Sequence, residues 1–83
     1  MNDAKLLKRI TFNPEIFAGK PIVRGRRLAV EHVLQMLEAG DSIDEILRGS
    51  LWLQRDDVLA CTAHSRRLVG HERVELLPSA VPA

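Results

Sequence analysis

Four cationic side chains, Lys20, Arg24, Arg26 and Arg27, fall within one short segment that proline and β-branched residues hold extended. Pro21 keeps Lys20 out of the helical region, and Ile22 and Val23 prefer a strand. Gly25 permits a turn, so the segment reads as a small hairpin or a bent arm. A basic arm anchored by Ile22 and Val23 can enter a duplex groove or hold its phosphates. In a dimer the charge doubles and gives a strongly salt-dependent footprint. The competing reading is a salt-bridge surface between subunits. A second cluster, Gln54-Arg55-Asp56-Asp57, opens a helical stretch. Gln54 suits adenine and Arg55 suits guanine. Two aspartates there repel phosphates and serve more readily as partners of the helix dipole, which favours a solvated turn over base readout. Cys61 and His64 share a helical face, but no further ligand, CxxC or HExxH completes a metal site. Cys61 reads as a small core residue. His32 and His71 have no acid or nucleophile partner at a telling spacing, and no glycine motif cradles phosphate. The expectation is a binding module, not an enzyme, with no cofactor and no metal. Phe12, Phe17 and Trp52 read as structural, which argues against single-stranded nucleic acid.

These side chains must be positioned by a small domain. The chain has 83 residues, 46% apolar and 28% charged. A domain of this size buries only about 60% of its unfolded surface, so its core is marginal alone and a homodimer or obligate partner is expected. The single cysteine excludes a disulfide framework and a thiolate zinc cage and makes reducing cytoplasm the default. No apolar run reaches the length of a membrane span, and no secretory h-region opens the chain. Charge is uneven. Residues 1–30 carry seven basic and two acidic side chains, whereas residues 31–57 carry two basic and seven acidic. Such a separation steers a polyanion to one surface or matches one segment electrostatically with another.

The pattern predicts three helices behind an extended N-terminal third. Residues 1–9 are read as a mobile N-terminus, 10–77 as one domain and 78–83 as a tail. Ile10-Thr11-Phe12 is a short strand stopped by Asn13-Pro14. Glu15 to Ala18 suit one helical turn closed by Gly19. The first helix, 30–39, has Val30, Val33, Leu34 and Leu37 on one stripe and Gly40 as its stop. The second, 42–48, opens on a capping box of Ser42 and Glu45 and presents Ile43, Ile46 and Leu47. Ser50 to Leu53 is too apolar to be fully exposed, with Trp52 over the helix junction. The third helix, 54–68, would face Val58, Cys61, Thr62 and Leu68 inward and stop at Gly70. His71 to Leu77 alternates like a terminal strand, and Pro78 ends it. The fold class is mainly α: a three-helix, winged-helix-like helix-turn-helix core, short N-terminal β-strands or arm, and a C-terminal strand.

The chain resembles the family called domain of unknown function 433. The resemblance starts at Ile10 and runs through Asn13-Pro14-Glu15-Ile16 and Gly19-Lys20-Pro21-Ile22-Val23-Arg24-Gly25. It continues through Arg27-Leu28, Val30-Glu31, Leu37-Glu38-Ala39-Gly40, Ile43-Asp44-Glu45-Ile46-Leu47 and Asp56-Asp57-Val58, and covers roughly residues 10–65. GKPIVRGRR is its most specific part. Arg26 stands where the family usually has Thr, Ala29 where it has Pro, and Gln54 where Ser or Thr would cap the third helix. Losing that cap costs about 1 kcal/mol, which Asp57 can partly offset by reaching back to the helix start.

The resemblance implies a dimeric prokaryotic helix-turn-helix protein of antitoxin type, partner of a PIN-like nuclease toxin, which also binds operator DNA. DNA contacts are then expected from Lys20, Arg24, Arg26, Arg27, Gln54 and Arg55. An arginine inserted among the carboxylates of a PIN-like nuclease would occupy its metal site. Arg66, Arg67 and Arg73 are the candidates, with Val74, Leu76 and Leu77 as apolar anchors; the competing reading is that His71 to Leu77 adds a strand within the homodimer. Two alternatives remain: an interaction module on a degenerate helix-turn-helix with no DNA function, and an orphan DNA-binding regulator.

Overall fold

The computed structural model describes residues 3–80, with side chains described for residues 3–70. It is mainly helical with one two-stranded antiparallel sheet. In chain order come α1 (Asp3–Leu7), β1 (Ile10–Thr11), β2 (Ile22–Val23), α2 (Val30–Glu38), α3 (Ile43–Arg48) and α4 (Arg55–Ala80). β1 and β2 pair with Ile10 opposite Val23 and Thr11 opposite Ile22. A further bridge joins Ile22 to Ala29, so the chain doubles back immediately after β2. Ile22 and Val23 are fully buried, as an anchor of that turn must be.

The core forms where α4 crosses the other elements. Val58, Ala60, Cys61 and Ala63 of α4 meet Val30 and Val33 of α2, Ile46 of α3, Leu53, the two strands and Leu6 of α1. Alanine and cysteine leave room for this close approach. Burial pushes the Cys61 thiol pKa up to about 12, with the neighbouring Asp57 charge adding to it.

Local signals set the ends of α2 and α3. Gly40 adopts φ +98°. Its amide donates to the Leu37 carbonyl, and the Asp41 amide donates to that of Met36. This is a complete Schellman closure, which favours glycine at that one position. The capping box of α3 forms on both arms: Glu45 N–H donates to Ser42 Oγ at 3.1 Å, and Ser42 N–H to Glu45 Oε1 at 2.7 Å. Ser42→Ala should cost about 1 kcal/mol by chemical denaturation, with an unchanged m-value.

Several expectations are corrected. The first residues are not free: residues 3–7 form α1, Leu6 is buried, and Asp3 pairs with Arg66 and Arg67 of α4. The turn expected over Glu15 to Ala18 is displaced and of the opposite hand, a single 3-10 turn over Phe17–Gly19. Phe17 (φ 48°) and Ala18 (φ 54°) are left-handed, following a tight turn in which Asn13 Oδ1 accepts from the Glu15 amide. Within Ser50 to Leu53, Leu53 is buried but Leu51 is 98% exposed. Thr62 faces outward and donates to the Leu59 carbonyl. The predicted strand over His71–Leu77 is absent, and Gly70 does not stop the helix, because α4 continues to Ala80. A lone glycine lowers helix stability by about 1 kcal/mol but ends a helix only when it turns left-handed. Leu68 therefore does not reach the core. It is 57% exposed. No helix among the described residues is long and apolar enough to cross a membrane.

Candidate nucleic-acid interface

After β2 the chain reverses through Arg24 and Gly25, with φ 47° and 71°. The Arg26 amide closes the turn on the Val23 carbonyl. Positive φ at both central positions matches the twist of flanking strands. It suits glycine and strains arginine, so Arg24 needs a compensating fixation. Its guanidinium supplies one. Nε donates to Asp57 Oδ1 and Nη2 to Asp57 Oδ2, each at 2.9 Å, and Nη2 also donates to the Trp52 carbonyl at 2.8 Å. This two-pronged fork is the arrangement arginine makes with a carboxylate better than lysine can.

Asp57 is wholly buried. Arg9 Nη1 donates to its Oδ1 at 2.9 Å, and the Gln54 amide donates to its Oδ2 at 2.8 Å. The reach-back to the start of α4 is thus in place, with two arginines added to it. Burial alone would raise the Asp57 pKa. Hydrogen bonds from Arg24, the Gln54 amide and Arg9 outweigh that and hold it below the usual carboxylate value. Residues 9, 24 and 54 converge on one side chain, so the ion pair ties the N-terminal segment and the turn to the root of α4. Arg9 also donates to Gln54 Oε1 at 3.0 Å and lies 3.7 Å from Asp56.

The candidate residues therefore separate. Arg24 is turned inward. Lys20 lies against Glu31 at 2.7 Å, whose carboxyl it holds below the usual range. Gln54 is engaged by Arg9, whereas Arg55 is exposed. Arg26 and Arg27 share an open groove of about 490 Å³ with Ile16, Gly25, Leu28, Ser50 and Trp52. The Arg26 guanidinium stands 4.7 Å from the centre of the Trp52 ring, and that of Arg24 5.4 Å. Arg66 and Arg67 are exposed and pair with Asp3. The side chains of Arg73, Val74, Leu76 and Leu77 lie outside the described residues. Much of the basic-to-acidic matching occurs within the chain, through Arg9, Lys20 and Arg24 with Glu31, Asp56 and Asp57.

Sequence reasoning missed Arg9 and the arginine platform on Trp52. The only local hint of the first was an arginine directly before a strand-forming run. The second had none, since Arg26 and Trp52 are distant in the chain.

A family model described as a protein of unknown function (DUF433) matches residues 10–64, two thirds of the chain. The chain belongs to the DUF433 family. In this DUF433 protein the matched region holds the strands, the groove arginines and Asp57, but not Arg9, α1 or the end of α4. No curated protein and no solved structure matches the DUF433 chain.

Proposed function

We propose that this DUF433 protein is the antitoxin-like component of a prokaryotic toxin–antitoxin pair. It holds a PIN-like nuclease toxin through the far part of α4 and binds operator DNA as a cytoplasmic homodimer. The order α2, α3, α4 after a short β-ribbon suits a winged-helix-like helix-turn-helix core. The observation that carries the partner reading is α4 itself. It continues to Ala80, beyond the family match, and presents Leu68 and Val69 at 57% and 60% exposure beside Arg66 and Arg67. An exposed helix segment that is both apolar and cationic suits a partner with an acidic, part-apolar cleft.

The test is co-expression with the product of the adjacent gene, purified through a tag on this chain. A stoichiometric complex that relieves growth arrest is the expected result. Leu68→Asp with Val69→Asp should weaken that complex at least about tenfold, with thermal stability unchanged because both sites are solvent-facing. A chain that purifies alone and rescues nothing would sink the antitoxin reading. One observation favours an interaction module without DNA function: the side chains of the first turn of α4 are engaged within the chain, Gln54 by Arg9 and Asp57 by Arg9 and Arg24.

A further inference from the structure

We propose that the groove between the Arg24-Gly25 turn and the α3–α4 connection is a phosphodiester-binding site. The protein grips duplex DNA there by its backbone rather than through the first turn of α4. This rests on the reading that the protein binds DNA, and it names where and by what chemistry.

Charge accounting singles out the groove. Among the described residues, Arg9, Lys20, Arg24, Arg66 and Arg67 each face a carboxylate. Arg26 and Arg27 do not; Lys8, Arg48 and Arg55 likewise make no ion pair, but Arg26 and Arg27 stand together on one groove, and no Asp or Glu lines it. Two guanidinium groups without a counter-ion on one concave surface attract a polyanion, and the Ser50 hydroxyl adds a neutral donor. The first turn of α4 has the opposite character. Gln54 Oε1 is occupied by Arg9, and Asp56 and Asp57 take up the charges of Arg9 and Arg24, so those two guanidinium groups are not free for phosphate.

The site is also built in advance. The Arg26 guanidinium is stacked on Trp52, which limits its rotation while leaving N–H groups at its edge for a phosphate. The main chain at Trp52 is fixed in turn, since its carbonyl accepts from Arg24, which Asp57 clamps. Little ordering remains when the ligand arrives. With Arg26 and Arg24 on its ring, Trp52 is a platform for arginine and not for a base. Binding should therefore be largely indifferent to sequence.

Trp52 is the sole tryptophan, so its emission reports on the groove directly. The full-length protein is titrated with a short mixed-sequence DNA duplex over a series of salt concentrations. Wild type should show a saturable change in Trp52 emission. Arg26→Ala with Arg27→Ala should weaken binding at least about tenfold and flatten the log–log salt slope by about two per chain. Circular dichroism should show an unchanged helix content and melting temperature. Arg55→Ala should change affinity and slope far less than the double variant does. If Arg55→Ala weakens binding and the double variant does not, the groove is not the site while the DNA reading stands. If wild type binds no duplex even at low salt, both fail. If poly-glutamate matches the duplex in affinity and in its effect on Trp52, the groove is a carboxylate site and the phosphodiester assignment is overturned.

Discussion

Replacing Asp57 with alanine is expected to lower the melting temperature by about 12–24 °C. The figure follows from about 3 kcal/mol for removing one partner of a buried ion pair, at about 4–8 °C per kcal/mol in a domain of this size. The lower end of the energy range applies because Arg9 and Arg24 keep 27% and 34% of their side chains exposed and can rehydrate. Total stability for such a chain is of order 4–12 kcal/mol, so the loss is a large share. Asp57→Asn should fall between, since it keeps the shape and one acceptor oxygen but not the charge. Arg24→Ala added to Asp57→Ala should cost far less than the sum of the two, because both remove the same fork. The sign with pH is fixed by the lowered Asp57 pKa. Its contribution is present in full above the ordinary carboxylate range and is lost as pH falls through the lowered value. Acid unfolding followed by circular dichroism should lose that dependence in Asp57→Asn. A wild-type melting temperature in that variant would show that the clamp contributes nothing.

Ile46→Ala should cost about 3 kcal/mol, within the range for truncating a buried isoleucine. Ile46 is the one buried side chain of α3, a helix of six residues. Its other apolar residues, Ile43 and Leu47, are only partly buried. A helix this short has no stability of its own and persists by docking. Removing its anchor leaves a cavity against Leu53 and α4 and frees α3 to undock before the rest unfolds. Amide exchange in residues 43–48 should then accelerate more than in α2. A uniform change across both helices would show that α3 and α2 open together.

Short-range chemistry was readable from the chain. The Ser42–Glu45 box, the stop at Gly40 and the reach of Asp57 to the start of α4 all lie within a few residues. Each is fixed by backbone groups that must be satisfied wherever the helix sits. The buried stripe of α2 and the strand preference of Ile22 and Val23 were legible for the same reason. What was hidden is long-range. Arg9 and Asp57 are 48 positions apart, and Arg24 and Asp57 are 33. No local periodicity marks Arg9 as a clamp. α1 was read as loose because its docking depends on Leu6 meeting α4 across most of the chain. The far part of α4 was misread because alternation in His71–Leu77 and a single glycine suggested a break. The preceding helix offered a template that continues at little cost per residue.

Cys61 has a consequence of another kind. Its sulfur is the only thiol in the chain, fully buried on the inner face of α4 and held protonated by its surroundings. An alkylating reagent finds nothing to attack while α4 rests on the core. Each labelled molecule is one in which that helix has lifted away, so the sulfur works as a clock. With a reagent that reacts faster than the helix recloses, the half-time of labelling reads how long a folded molecule lasts between openings, and a partner that clasps α4 would slow it.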